Sequence, residues 1–375
     1  MDEHLPWHEP LWQQTQQRHA AGRLPHALLL AGPAGLGKLI FARRLAQALL
    51  CESPSTEGDG CGHCRSCQLF RAGSHPDYSV VQPEDEQKST EGAASAGEAG
   101  ETGNSKKKKS KVIKIDQIRT LCAFLGHTAQ YGGYKIALLE PADQLNVNAA
   151  NSLLKTLEEP PGTCLLLLVA ARPARLPATI RSRCQLIRFD RPALELALPW
   201  LTARISGGLK PADVLEVAGG SPLTALRYAE GDRWQRRRDL AENYDRLLTG
   251  RLDPIQAAEQ WAQGDLAENL RWLIGWHTDL IRLRMNATDQ SAPERLKPMN
   301  PGPLHLNHPD LRPLLQRWAA RPAPRVLFTR LDAAVRLHTL CTTAQVNAPL
   351  LLEAFLSEAA GNHEPSVPGR PFKEG

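Results

Sequence analysis

Residues 26–39 have the sequence HALLLAGPAGLGKL, which joins a short apolar run to a glycine-rich turn and then to a helix-forming segment. The apolar run at 28–31 fits the middle of a parallel sheet. The turn is nearly a P-loop, in which glycines let backbone N–H groups converge on phosphates at a helix N-terminus while a lysine reaches the terminal phosphates. Gly32, Gly37 and Lys38 are therefore the candidate phosphate-binding residues.

The position after the lysine separates this turn from a working P-loop. A Ser or Thr hydroxyl there binds the metal ion, but this chain has Leu39, which cannot bind magnesium. The later apolar run at 134–139 is followed by Glu140 and Pro141, whereas the matching strand of an ATPase ends in a metal-binding Asp and a Glu that activates water. Because proline accepts no proton, we predict a loop that keeps its shape without supporting hydrolysis. Whether it still binds a nucleotide weakly stays open.

Length and composition bound the kind of protein. At 375 residues the chain is long enough for two or three domains, and 42% hydrophobic and 23% charged residues indicate a globular protein. No apolar run approaches the roughly 20 residues that span a bilayer, and the acidic N-terminal stretch has no apolar core of the signal-peptide kind. These features predict a soluble, cytoplasmic protein without membrane contact. The net charge of +5 argues only weakly for nucleic-acid binding.

Four of the eight cysteines lie close together in the chain, with the spacing C-x9-C-x2-C-x2-C. Two tight C-x2-C steps among glycines favour a tetrahedral structural zinc site, whose predicted ligands are Cys51, Cys61, Cys64 and Cys67. A catalytic zinc needs an open coordination position, which four thiolates do not leave. Two alternatives stay open: His63 replaces one cysteine as a ligand, or the cysteines are separate members of the core.

A segment of unusual composition interrupts the first half of the chain. From about residue 83 to 111 it consists mainly of Glu, Ser, Ala, Gly and Lys, with no aromatic and almost no aliphatic residue. Such a segment cannot bury enough apolar surface to fold, so we predict a disordered surface insertion. The lysines at 106–109 and 111 either contact nucleic acid or belong to a solvated tether.

The rest of the chain predicts two kinds of structure. Around the phosphate loop, apolar runs such as 164–171 alternate with helix-forming segments such as 148–159, as in a parallel α/β sheet with right-handed crossovers. Asp116 is expected to cap a helix that runs to Phe124, and Asp143 to begin the helix at 148–159. Beyond residue 192 the apolar spacing is helical. The predicted helices lie at 212–218, 222–230, 233–249, 254–262, 267–285, 311–320, 325–342 and 349–360.

Four stretches of sequence resemble those of one family. LKTLEEPP at 154–161, LPATIRSRC at 176–184, RLPHALLLAGP at 23–33 and the cysteine insertion are similar to the bacterial clamp-loader subunits of DNA polymerase III. Within that family the resemblance is to the delta-prime branch rather than to the ATP-hydrolysing gamma/tau branch. It is specific over residues 23–190 and diffuse beyond them.

The resemblance implies a fold class and an order of domains. The expected architecture is an α/β P-loop domain of the RecA-like AAA+ type with a zinc insertion, followed by a helical lid and an all-α collar through which subunits associate. The expected bounds are 1–190 for the first domain, with the zinc module at 51–67 and the disordered insertion at about 83–111, then 191–231 for the lid, 232–360 for the collar and 361–375 for a disordered tail.

Four positions depart from the hydrolysing members of the family. Besides Leu39 and Pro141, Ala170 stands where those members have a Thr or Asn that senses the γ-phosphate, and Leu223 stands where their lid has an Arg. Each loss removes a polar contact to metal, water or phosphate. The resemblance therefore implies a subunit that does not hydrolyse ATP in its own site, and it leaves ATP binding there doubtful.

One functional residue of the family is kept. In the family, the arginine of the Ser-Arg-Cys element is a finger that reaches the γ-phosphate in a neighbouring subunit, where its planar guanidinium suits the developing charge. That arginine is Arg183 here. The resemblance favours this role over the alternative that Arg181 and Arg183 are ordinary surface or capping residues. Arg181 and Arg172 are weaker candidates for the same interface.

The implied function is that of a delta-prime-like clamp-loader subunit in DNA replication. It would be a non-hydrolysing stator in a hetero-pentamer with gamma/tau and delta subunits, a complex that places the sliding clamp on primed DNA. It would not be an enzyme alone, because the nucleotidyltransferase activity of the holoenzyme belongs to another subunit.

Two other functions stay open at this point. The first is an active ATPase subunit of the gamma/tau type, with Lys38 at the phosphates and Glu140 as a substitute metal residue. The second is a zinc-dependent DNA-binding module that uses the cysteine cluster and the lysines at 106–111.

Overall fold

The computed structural model of the 375-residue chain describes residues 4–83, 112–131, 133–291, 304–320, 322–343 and 346–361. Contacts divide the chain into two compact units, Met1–Trp200 and Leu201–Gly375. The division into three domains, with a lid that ends at residue 231, stays a prediction. Residues 84–111 of the predicted insertion and 362–375 of the predicted tail lie outside the described residues.

The first unit is organised around a five-stranded sheet with the strand order β2-β3-β4-β1-β5. Every neighbouring pair in this sheet is parallel, which confirms the predicted α/β class. The strands are β1 (Ala27–Ala31), β2 (Tyr78–Val81), β3 (Lys135–Leu139), β4 (Cys164–Ala170) and β5 (Gln185–Arg188).

The apolar runs become central strands because both of their faces are covered. Every residue of β1, β3 and β4 is buried. In β1, Leu28 and Leu30 pack in one core cluster with Phe41, while Leu29 packs in the cluster on the other face with Leu153. A strand that is apolar at consecutive positions is therefore the expected result of helices on both sides.

Helices cover the two faces of this sheet, and α2 follows the phosphate loop. They are α1 (Glu9–Ala20), α2 (Lys38–Leu50), α3 (Arg65–Arg71), α4 (Ile115–Gly126), α5 (Val147–Glu158) and α6 (Ala178–Arg181), and α7 (Leu194–Thr202) crosses the boundary between the units. Buried residues of α2 lie in one core cluster, and those of α4 and α5 lie in the other.

Two predicted helix starts are wrong. Helix α4 begins one residue earlier than Asp116, and the Gln117 side chain accepts a 2.9 Å hydrogen bond from the Lys114 backbone N–H. Helix α5 is capped by Asn146, whose side chain accepts a 2.7 Å hydrogen bond from Ala149. Asp143 lies instead in a short 3-10 turn and is buried. At α5 the Asn146 side chain serves a free N–H group of the first turn, and at α4 the Gln117 side chain binds the N–H of the residue that precedes the helix.

The described part of the second unit is helical, as predicted from the apolar spacing. Its helices are α8 (Pro211–Val217), α9 (Pro222–Ala229), α10 (Arg233–Leu248), α11 (Pro254–Ala262), α12 (Leu266–Ser291), α13 (Arg312–Ala320), α14 (Pro324–Thr343) and α15 (Ala348–Gly361). The largest departure is α12, which runs six residues beyond the predicted end at 285.

Aromatic side chains fill the centre of the second unit. The Tyr244 ring lies 5.1 Å from that of Trp318 and 6.3 Å from that of Trp276, measured between ring centroids. An ion pair joins the buried Arg237 to the partly buried Asp310 within the same unit. Across both units, none of the helices in the described residues is long and apolar enough to span a bilayer.

Candidate functional site

The phosphate loop connects the carboxyl end of β1 to the first residue of α2. Gly32 has a φ of 153°, and a side chain there would place its Cβ 2.2 Å from the Phe189 carbonyl oxygen. Gly37 has a φ of 85°, and a Cβ there would lie 2.3 Å from the Leu5 side chain. Both positions therefore require glycine, for the backbone conformation and for close packing. The predicted loop shape is present.

The Lys38 amine is turned into this loop. Its Nζ donates hydrogen bonds to the carbonyl oxygens of Gly32 and Pro33, at 2.7 and 2.6 Å. Burial lowers the pKa of Lys38 to about 8, against the opposing effect of the Asp143 and Glu140 carboxylates. The cation that would reach phosphate is thus bonded to the backbone of its own loop.

The positions that carry a metal-binding hydroxyl and a catalytic acid in an ATPase have other residues here. Leu39 is half-buried and packs against the core, so this position offers no metal ligand. Pro141 follows Glu140, whose carboxylate accepts a 2.8 Å hydrogen bond from Gln82. Ala170 ends β4, and its carbonyl oxygen accepts a 3.3 Å hydrogen bond from the Gly32 N–H. The end of β4 therefore supports the loop through its backbone only.

Asp143 lies close enough to raise the pKa of Lys38, and it has partners of its own. Its Oδ1 accepts a 3.4 Å hydrogen bond from the Ala171 N–H, and its Oδ2 lies 3.6 Å from the Arg172 Nε. Arg172, a weaker candidate for the subunit interface, is thus paired beside its own phosphate loop. Sequence reasoning missed this contact, because Asp143 stands three residues beyond the strand end at which a catalytic acid is expected.

The N-terminal segment packs against the phosphate loop at Leu36. The sequence did not predict this contact. The short 3-10 helix Pro6–His8 places two rings against the Leu36 carbonyl oxygen, which accepts hydrogen bonds from Trp7 Nε1 at 3.0 Å and from His8 Nε2 at 2.7 Å. Burial lowers the pKa of His8 to about 4, so the ring is neutral at pH 7. Two tryptophans and a histidine in residues 7–12 were the available signal.

The four predicted zinc ligands lie together. The Sγ atoms of Cys51, Cys61, Cys64 and Cys67 all lie within 4.8 Å of one another. The Cys51 and Cys64 sulfurs are 3.8 Å apart, and tetrahedral zinc with bonds of about 2.3 Å requires sulfurs separated by roughly 3.8 Å. Backbone N–H groups of Cys61, Cys64 and Cys67 donate to cluster sulfurs at 3.2 to 3.4 Å, which favours thiolates. The donor set fits zinc.

Two alternatives for this cluster are not supported. His63 is exposed, and its Nδ1 lies 2.9 Å from the Cys61 carbonyl oxygen, while the metal-ligand group found in the described residues contains the four cysteines and no histidine. The cysteines also converge on one point rather than lying apart in the core. A zinc ion held by four thiolates would fix the backbone and leave no position for a substrate.

The zinc module is fastened to the helices around the phosphate loop. Arg44 of α2 donates to both carboxylate oxygens of Asp59, at 2.5 and 2.6 Å. The same guanidinium lies 3.9 Å from the centre of the Trp12 ring on α1, and Trp12 Nε1 donates to the Glu57 carbonyl oxygen at 3.1 Å. The module is therefore part of the structure that positions α1 and α2.

Arg183 lies at the amino end of the strands, whereas the phosphate loop lies at their carboxyl end. In the parallel register Leu28 pairs with Gln185 and Ala31 with Arg188, so Arg183 precedes the amino end of β5 while the phosphate loop follows the carboxyl end of β1. The paired stretch spans roughly 13 Å at about 3.3 Å per residue. Arg183 therefore lies at the opposite end of the strands from its own phosphate loop. Arg181, two residues before it, is exposed.

Leu223 lies in the first turn of α9 and is half-buried. This apolar side chain offers no hydrogen-bond donor to a phosphate. The sequence-predicted residues thus form three separate groups. The first is the phosphate loop with Gly32, Gly37 and Lys38, the second is the cysteine cluster, and the third is Arg183.

Comparison with known proteins gives this arrangement a family. A family model described as "DNA polymerase III, delta subunit" matches residues 7–193, and one described as its C-terminal part matches residues 231–298. DNA polymerase III subunit delta' of Pseudomonas aeruginosa is 35% identical over 372 residues, 97% of this chain and 98% of that protein. The chain belongs to the delta' family. It is a delta'-like clamp-loader subunit and part of the DNA polymerase III holoenzyme.

Two further relatives decide between the branches of the family. The delta' subunit of Yersinia pestis is 32% identical and covers 94% of each chain. Subunit tau of Bacillus subtilis is 30% identical but covers only 45% of this chain and 25% of that protein. The gamma/tau alternative is therefore not favoured. Membership in this family implies partnership with other clamp-loader subunits.

Proposed function

We propose that this delta'-like subunit does not hydrolyse ATP itself and donates Arg183 to the ATP site of a neighbouring subunit. It acts as the stator of a cytoplasmic hetero-pentamer with gamma/tau and delta subunits. Through that complex it contributes to loading the sliding clamp onto primed DNA. The polymerising activity of the holoenzyme belongs to another subunit.

One observation carries the proposal: Arg183 and the phosphate loop lie at opposite ends of the strands of one parallel sheet. A finger has to bring its guanidinium to the oxygens of a γ-phosphate. Arg183 lies before the amino end of β5, a strand length away from its own loop. An action in a neighbour's site suits this placement, and an action in its own site does not.

The chemistry of the phosphate loop supports the other half of the proposal. A nucleotide would have to replace the bonds between the Lys38 amine and the loop carbonyls. Even then, Leu39 supplies no hydroxyl to the metal ion and Pro141 no base to the water. Since each such contact contributes orders of magnitude to phosphoryl transfer, their joint loss suits a subunit without turnover.

The role proposed for the zinc ion is structural. Four thiolates fill a tetrahedron, and the module they form is bonded to α1 and α2 through Trp12 and Arg44. Zinc would therefore stabilise the first unit and take no part in a reaction.

The test uses the reconstituted loader, in which DNA-stimulated ATP hydrolysis is measured with Arg183→Ala in this subunit. Arginine fingers contribute about 10³-fold or more to turnover at the site they serve, so that site should fall silent while assembly, followed by size-exclusion chromatography, stays intact. Arg183→Lys should rescue little, because an ammonium is a point charge without the planar fork.

Arg175→Ala is the matched control, since it removes another exposed arginine of the same unit that has no proposed role. Its turnover should equal that of the unmodified complex. Unchanged turnover in the Arg183→Ala complex would remove the proposed role of this residue.

A further inference from the structure

The Arg183 guanidinium is held by two anchors of its own chain. Its Nη2 lies 2.6 Å from Glu158 Oε1, and its Nη1 donates to the Thr179 carbonyl oxygen at 3.0 Å. Glu158 is the last residue of α5, and two prolines follow it within three residues. Thr179 belongs to α6. Both anchors are therefore fixed by regular structure rather than by a loose loop.

Glu158 occupies a position that is unfavourable for a carboxylate by itself. The free carbonyl groups at the C-terminus of a helix carry partial negative charge, so an acidic side chain there is repelled unless a cation compensates it. Arg183 supplies that cation at 2.6 Å. The charge of the Glu158 carboxylate is thus compensated by this arginine and not by the helix that carries it.

Stability does not account for the pair. The side chains of Arg183 and Glu158 are 35% and 50% exposed, and ion pairs this open contribute little to folding, since water and salt screen them. Orientation is the property that the pair does change. The Nη1 hydrogen bond to Thr179 and the carboxylate beside Nη2 together restrict the rotation of the guanidinium.

We propose that Glu158 is a positioning residue for Arg183. It fixes the guanidinium plane in the orientation that meets the γ-phosphate of a neighbouring subunit, so that less side-chain freedom is lost in the transition state. The inference rests on the proposed function of Arg183. It adds a second residue, on a different helix, to the part that this subunit plays in its neighbour's ATP hydrolysis.

The test is a double-mutant cycle in the reconstituted loader, with DNA-stimulated ATP hydrolysis as the readout. The turnover that Arg183→Ala removes defines the component that depends on this arginine. In the Glu158→Ala complex this component should fall by roughly tenfold in kcat, with KM for ATP unchanged, because a misplaced group weakens the transition state and not ATP binding. The variant with both substitutions should turn over no more slowly than Arg183→Ala alone.

Two further variants separate positioning from general damage. Glu159→Ala removes the adjacent exposed carboxylate and should leave kcat unchanged. Glu158→Gln keeps the shape of the side chain without its charge and should give a smaller loss than Glu158→Ala, and it replaces that variant if the alanine form does not assemble. The thermal midpoint of the subunit should be the same in all of them.

The outcomes are distinct. A full Arg183-dependent component in both Glu158 variants, a rise in turnover, an equal loss in Glu159→Ala, or additive losses in the double variant would each overturn the inference while leaving the role of Arg183 intact. No loss in Arg183→Ala itself would overturn the proposed function, and the inference with it.

Discussion

Lys38 and Arg183 are two cations of one α/β domain, and they differ in burial and in hydrogen-bond partners. The Lys38 amine is buried and bonded to carbonyl oxygens of its own loop. The Arg183 guanidinium is partly exposed at the opposite end of the strands, where it pairs with the Glu158 carboxylate and donates to the Thr179 carbonyl oxygen. One cation is directed inward, and the other is available to a partner.

The difference shows which parts of a nucleotide-binding fold depend on chemistry and which on packing. The loop keeps its shape because Gly32 fits closely against the Phe189 carbonyl and Gly37 against the Leu5 side chain, and neither contact needs a hydroxyl or an acid. Arg183 lies between α6 and β5, and neither element is part of the phosphate loop. A loop that does not support hydrolysis would therefore be compatible with a finger at the opposite end of the strands.

Loss of zinc should have the largest effect and should act on the phosphate-loop side. Cys64→Ser removes one ligand, and because small zinc modules draw on the order of 10 kcal/mol from the metal, residues 51–67 should lose their order. Trp12 and Arg44 link the module to α1 and α2. Hydrogen exchange measured by mass spectrometry should therefore rise in those two helices and stay unchanged around α6.

Cys122→Ser is the control for this substitution, because Cys122 is half-buried and lies outside the cluster. It should keep one zinc ion per chain by elemental analysis. A Cys64→Ser chain that retains zinc as firmly as the unmodified one would show that the cluster is not the metal site.

Acid should loosen the same side of the molecule by a smaller amount. Burial lowers the pKa of His8 from 6.5 to about 4. Between pH 6.5 and pH 4, His8 is therefore protonated in the unfolded chain and neutral in the folded chain. The stability that neutral His8 contributes is complete above pH 6.5 and is lost as the pH falls toward 4. Between pH 7 and pH 4.5 this loss is about 2 kcal/mol.

Urea unfolding of the unmodified chain and of His8→Gln at the two pH values measures this contribution. The unmodified chain should lose about 2 kcal/mol more than the variant, since glutamine does not titrate. His127→Gln, a change at an exposed histidine of the same unit, is the control. Equal losses in the unmodified chain and His8→Gln would contradict the packing of the His8 ring against the loop.

Much of the fold was predictable because burial leaves a direct mark on the sequence. The runs at 28–31 and 164–170 are apolar at every position, since β1 and β4 are covered on both faces. The C-x2-C steps identified the cysteine cluster, because ligand spacing is local. The losses at Leu39, Pro141 and Ala170 were visible in the same way, as single residues at known places in a motif.

The contacts that close the phosphate loop were not predictable. Trp7 and His8 meet Leu36 across 29 and 28 residues, and nothing in a local pattern reports such a pairing. The partner of the Lys38 amine depends on a backbone conformation that the glycines permit but do not specify. The pairing of Glu158 with Arg183 likewise joins two segments of the chain through the tertiary fold.

The smallest expected effect is also the most direct test of the central claim, that the phosphate loop of this subunit is silent. ATP turnover is measured on the purified chain alone, beside Lys38→Ala as the control for any activity of the loop. We expect the two to hydrolyse ATP equally slowly, at the background of the assay. Brisk turnover by the unmodified chain that Lys38→Ala abolishes would contradict the account.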